Sequence, residues 1–229
     1  MAEKRVLIQA GHVAPREPGF ESGTGTVREQ ELTFRLRAAL VSILQGDPRF
    51  TPVPVPGDIP NGIKVDAALF LHGDGSANPK ASGYSFGFPL HSSNARLAKL
   101  IGEEFEKIPG HPPHHTDNYT GGLRHYYGYS RVDTRGPEVL VEHGFLTNPR
   151  EQSWLFSNIK TLAKAEYRAL LRYFGYQEFF PSSAGWKPGI PIFFGLAPLL
   201  GVGRLEEKHY RLIAEVQRRE RILADLRRP

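Results

Sequence analysis

The chain has 229 residues, enough for one sizeable domain with an appendage, and 40% hydrophobic against 23% charged residues provide for a buried core. Cysteine is absent, which excludes disulfide scaffolds, thiolate metal sites and cysteine nucleophiles, so any zinc must be held by imidazole and carboxylate. The net charge of +5 favours polyanionic partners, but no zinc-finger spacing or RNA-recognition aromatic motif accompanies it, and nucleic acid is not expected.

In chain order, Val6-Leu7-Ile8-Gln9-Ala10 is an apolar run closing at Gly11, the pattern of a buried parallel strand. The run is too short for a signal-peptide core, and no stretch reaches the ~18–20 apolar residues of a spanning helix. A product made in the cytoplasm, without a transmembrane segment, is therefore expected. Residues 13–27 are loop-like. Leu32, Leu36, Leu40 and Ile43 predict a helix over 28–44. Three prolines limit residues 51–56 to an edge strand at most. Residues 65–71 form a second buried strand ended by His72-Gly73, and a glycine-rich loop is expected at 73–89. A helix follows over 93–108, then an irregular stretch at 109–136. Residues 138–141 make a third buried strand, and a helix fits 159–174. Alternating strands and helices predict an α/β three-layer sandwich with a mostly parallel sheet, plus a C-terminal helical extension.

The expected divisions are a catalytic domain at 1–176, a Pro/Gly-rich apolar linker or docking segment at 177–203, and a basic amphipathic helix at 204–229. The helix is expected to dock on the catalytic domain. The competing expectation is that its arginines bind anionic envelope polymers or lipid.

His12, His72 and Glu142 stand just beyond the C-terminal ends of the three expected strands, the edge where open α/β sheets build ligand sites. Glu29 opens the first helix on the face of Leu32 and Leu36, whereas Glu31 is rotated roughly 200° from it and faces solvent. Two imidazoles and a carboxylate make a catalytic zinc set with a fourth position for water. A second carboxylate, outside the set, serves as general base. Pattern alone leaves other pairings open, because a lone histidine after a strand is more often structural and the chain has nine. His143 is expected to be a lining or surface residue rather than a ligand. His111, His114 and His115 are expected in an exposed loop, and Tyr126, Tyr127 and Tyr129 either stack on sugar or anchor that loop.

Gly11-His12, Glu29 with its following leucines, His72, and Val139-Leu140-Val141-Glu142-His143-Gly144-Phe145-Leu146-Thr147-Asn148 resemble the amidase-3 type zinc N-acetylmuramoyl-L-alanine amidases over about residues 4–176. The resemblance implies Zn2+ on His12, Glu29 and His72, with Glu142 as the catalytic carboxylate. It also implies a substrate-side loop that includes Asn118, Gly122, Leu123 and Arg124, with Arg124 or His125 near the developing oxyanion. The implied substrate is peptidoglycan, cut between N-acetylmuramic acid and L-alanine. The expected setting is a phage endolysin held in the host cytoplasm until lysis. A cell-wall or periplasmic host autolysin and a non-catalytic wall-binding module are the alternatives. Two positions depart from the family's pattern: Gln9 stands where an aspartate is common, and Phe70 where a small polar residue is common.

Overall fold

A computed structural model describes residues 3–14, 24–115 and 118–178. Strand β1 (Lys4–Ala10) leads to helix α1 (Glu29–Gln45), which buries Leu32, Leu36, Leu40 and Leu44 at four-residue spacing. Strands β2 (Phe50–Val55), β3 (Ile63–Lys64) and β4 (Ala67–Asp74) follow. Then come β5 (Tyr84–Gly87), α2 (Ser92–Phe105), β6 (Pro113–His115), the short α3 (Gly121–Arg124) and a 3-10 turn at Tyr127–Ser130. The described part closes with β7 (Val132–Asp133), β8 (Glu138–Phe145), α4 (Pro149–Ser157) and α5 (Ile159–Phe174).

The main sheet runs β2-β1-β4-β8-β5-β6, parallel at every pairing except β5 with β8. β2 lies at its margin, where prolines 52 and 54 deprive no outer neighbour of a hydrogen bond. One face carries Val6, Ile8, Leu69, Leu71, Val139 and Val141 beneath α1, α2 and α5. The other carries Leu7, Ala68, Phe70 and Leu140 under a thinner layer that includes Ile59, Leu123, Tyr126 and Tyr129. Burial on both faces is why β1, β4 and β8 are continuous apolar runs rather than alternating ones.

The structure is richer than the sequence pattern in two places. The stretch expected to be a glycine-rich loop contains β5, and the irregular stretch at 109–136 contains β6, α3 and β7. Helix α4 is also additional. Its start is set by Asn148, whose side chain accepts from the Arg150 and Glu151 amides, and by Pro149 in the first turn. No helix among the described residues is long and apolar enough to cross a membrane. From residue 179 onward the expected linker at 177–203 and the helix at 204–229 lie outside the described residues.

His111 is buried, not part of an exposed loop surface. Its ring stacks on Trp154 at 4.7 Å and touches Tyr84 and Phe105, and neither ring nitrogen has a hydrogen-bond partner. Burial, helped by the charge of His143, pushes its pKa down to about 3 from 6.5. A histidine held neutral in the fold and free to protonate when unfolded stabilises fully above the unfolded value. That contribution is lost as pH falls from 6.5 toward 3. Urea titrations across this window should show His111→Phe removing up to about 1.4 kcal/mol per pH unit from the slope. Identical slopes in the two proteins would refute the assignment.

Candidate metal centre

At the C-terminal edge of the sheet, β1 ends and the chain turns sharply, placing His12 in the left-handed region at φ 62. Gly11 lies directly against the His72 ring, and a Cβ there would stand 2.5 Å from its Cε1. No side-chain-bearing residue fits between β1 and this imidazole. Glu29 reaches the same point from the first turn of α1, which begins after a second left-handed residue, Arg28 at φ 59. Left-handed backbone at non-glycine residues costs of order 1–2 kcal/mol each, so the surrounding contacts must hold both turns in place.

The three side chains converge. Glu29 Oε1 lies 3.0 Å from His72 Nδ1 and 3.5 Å from His12 Nε2, and one donor atom from each residue falls within 4.8 Å of the others. His12 Nδ1 sits 3.1 Å from the Thr24 hydroxyl, which leaves Nε2 for the cluster. Glu29 is further fixed by the amides of Thr26 at 2.8 Å and Gly73 at 3.2 Å. Burial raises its pKa, but the close approach of His72 Nδ1 and the charges of His72 and His12 outweigh that and hold it below the usual carboxylate value. Burial foremost lowers the His12 pKa against the pull of Glu29, with His72 adding to the fall. A carboxylate anion and a neutral imidazole are the forms that ligate metal.

Glu142 stands on β8 in register with His72 on the neighbouring β4. Its Oε2 is buried without a hydrogen-bond partner. Burial, then the charges of Asp74 and Glu29, push its pKa well above the usual carboxylate range. It lies across from His72 and outside the three-residue cluster.

The predicted substrate-loop residues divide. Asn118 is buried, with its amide accepting from the Phe88 N–H at 2.8 Å and donating to the Phe88 carbonyl at 2.9 Å. Leu123 is buried in the smaller core, and its carbonyl accepts from the Tyr129 hydroxyl. Gly122, Arg124 and His125 are exposed.

His143 corrects its sequence reading. It neither lines the site nor lies at the surface but is fully buried on the helix-covered side, between the His72 carbonyl at 2.9 Å and Glu166 Oε1 at 3.0 Å. Alternation along β8 sends Val139, Val141 and His143 to that side and Leu140 and Glu142 to the other. Glu166 escaped sequence reasoning. The available signal was a carboxylate in phase with Leu162 and Leu170 on the buried stripe of α5. Another buried acid, Glu151, accepts from the amides of Gly83, just before β5, and Phe145 on β8, tying both to α4.

The N-acetylmuramoyl-L-alanine amidase model Amidase_3 matches residues 6–172. Solved structures share the fold. The catalytic domain of CwlV from Bacillus (Paenibacillus) polymyxa var. colistinus is 18% identical, with a TM-score of 0.57 over 76% of this chain and 99% of that one. CwlD from Clostridioides difficile, solved with the GerS lipoprotein, is 17% identical at a TM-score of 0.56, covering 76% and 99%. An N-acetylmuramoyl-L-alanine amidase of Nostoc punctiforme is 17% identical at 0.57, covering 75% and 97%. Comparison with curated proteins gives no match. With the family model spanning β1 to α5 and the sheet, cluster and Glu142 in the arrangement described, the chain belongs to the amidase-3 family of N-acetylmuramoyl-L-alanine amidases.

Proposed function

We propose that this peptidoglycan amidase is zinc-dependent and cuts the amide between the lactyl group of N-acetylmuramic acid and the L-alanine of the stem peptide. The observation that carries the reading is the convergence of His12, Glu29 and His72 within 4.8 Å, beside a base in register on the next strand. Two imidazoles and one carboxylate match a catalytic zinc donor set, and the partly exposed His12 leaves the cluster open to solvent. Bound there, zinc supplies a Lewis acid for the scissile carbonyl and brings the pKa of its water toward ~7.

The remaining steps belong to the chain's own residues. Glu142 takes a proton from the attacking water as its oxygen adds to the lactyl carbonyl carbon. It returns that proton to the alanine nitrogen as the C–N bond breaks. A carboxyl whose pKa is raised is suited to holding the proton between those two events. Gly122 and Arg124, exposed on α3, are assigned to the substrate side, while Asn118 and Leu123 hold the loop beneath them. The biological setting we propose is host-wall lysis by a phage enzyme. The excess of basic over acidic residues in the chain suits an anionic envelope.

Mass spectrometry of digested, purified peptidoglycan tests the chemistry. Free lactyl carboxylates with intact stem peptides are expected. Shortened stem peptides would make the enzyme a peptidase, and binding to walls with no released product would make it a non-catalytic wall module.

A further inference from the structure

We propose that Gln9, Tyr126 and Phe70 act together as a positioning device that fixes the His72 imidazole as its Nε2–H tautomer and turns the Nδ1 lone pair toward the metal. The proposal rests on His72 being a zinc ligand.

The argument begins at a backbone carbonyl, which can only accept. Gln9 Nε2 lies 2.7 Å from the Gly57 carbonyl oxygen, so this end of the side chain must be the NH2 group. Its second hydrogen points to the Tyr127 hydroxyl at 3.2 Å, and that hydroxyl also donates to the Gly57 carbonyl. The amide orientation is thereby set, and Oε1 is left facing the Tyr126 hydroxyl at 2.8 Å. An amide oxygen only accepts, so Tyr126 directs its single hydrogen there. The Tyr126 oxygen then has only lone pairs to offer His72 Nε2, 3.2 Å away. A hydrogen bond at that distance requires the hydrogen on Nε2. A neutral ring protonated at Nε2 carries its lone pair on Nδ1, and Nδ1 faces Glu29 Oε1 at 3.0 Å. A metal ion bound at the cluster would take that lone pair and the carboxylate oxygen together.

Phe70 supplies the support. It is fully buried beneath Tyr126 and Tyr129, with ring centroids 5.4 and 5.5 Å away. Gly128 keeps the space clear, since a Cβ there would stand 2.5 Å from Tyr126 Cε1 and 2.9 Å from Phe70 Cε1. The two departures from the family's sequence pattern are thus parts of one unit. An aromatic hydroxyl and an amide orient the ring where a nearby acid and a small polar residue would otherwise stand. A ligand's outer hydrogen-bond partner typically changes metal affinity about 10–100-fold when removed.

The test compares zinc affinity, by chelator competition, in the wild-type chain, Tyr126→Phe and Tyr129→Phe. Tyr126→Phe keeps the ring against Phe70 and removes only the hydroxyl, and its zinc affinity is expected to fall about 10–100-fold. Tyr129→Phe loses a hydroxyl directed at the Leu123 carbonyl, and its affinity should be unchanged. Long-range proton–nitrogen NMR of the zinc-loaded wild type should find the His72 hydrogen on Nε2, a readout that does not depend on any variant folding. Zinc bound as tightly by Tyr126→Phe as by the wild type, or a hydrogen on Nδ1, overturns the device and leaves the metal site standing. A wild-type chain whose zinc affinity is absent, or is untouched by His12→Ala, overturns the metal reading and the device with it.

Discussion

Glu142→Gln is expected to lower amidase turnover about 10²–10⁴-fold while leaving zinc affinity at the wild-type level. The side chain is not among the three converging residues, so the candidate metal cluster is intact in the variant. What disappears is the group proposed to carry a proton from water to the leaving amine, because an amide of the same shape cannot take it. The same substitution should raise the thermal midpoint of the metal-free protein. Glu142 Oε2 is buried without a partner, and its pKa stands well above 4.5 because of burial and then the nearby Asp74 and Glu29 carboxylates. A carboxyl with its folded pKa raised contributes stability below the unfolded value and loses it as pH climbs toward the folded one. The advantage of the glutamine variant should therefore grow as pH rises above 4.5. A wall-turbidity assay and a melting series at several pH values check both halves. Near wild-type turnover would remove Glu142 from the chemistry.

Glu166→Ala is expected to cost about 3–5 kcal/mol of folding stability, among the largest effects of any single truncation here. His143 and Glu166 are both completely buried, 3.0 Å apart. The His72 carbonyl accepts from His143 Nδ1, so that nitrogen carries a hydrogen. Nε2 then either donates to a carboxylate or accepts from a neutral acid, and the pair is net neutral in both cases. Removing Glu166 leaves an imidazole nitrogen in the core with neither water nor partner. Glu166→Gln supplies an N–H for a neutral ring and should cost only about 1 kcal/mol, the scale of one ordinary hydrogen bond. Chemical denaturation of the two variants separates the outcomes, and equal losses would show that the carboxyl itself, rather than side-chain volume or a single neutral hydrogen bond, sets the cost.

The strands that place the site were legible in the sequence because burial on two faces writes itself as unbroken apolar runs, as in Val6–Ile8 and Val139–Val141. Glu29 was legible through helical phase, and the structure buries it on the face of Leu32 and Leu36. Strand β5 was not, because four residues in glycine-rich surroundings carry no usable period. The supporting groups were hidden for a different reason. Gln9 and Tyr126 are 117 positions apart, and His72 and His143 71 apart. No local pattern records a contact that only the sheet order creates. Their traces were oddities of composition: a polar side chain in a buried strand, and a carboxylate on an apolar stripe.

The position of β8 between β4 and β5 has a consequence for how the molecule is made. It is the last strand of the sheet to leave the ribosome, yet it joins the β2-β1-β4 half to the β5-β6 half. Until residue 138 emerges, the apolar strand Ala67–Leu71 has one edge of unpaired backbone, and β5 has no central neighbour to hold it. All three residues of the candidate metal cluster are synthesised by residue 72, well before the strand that completes their surroundings. The nascent chain thus passes through a stage in which it has the cluster's side chains but no finished sheet. During that interval its protection against self-association depends on chaperones and on the pace of translation rather than on its own fold.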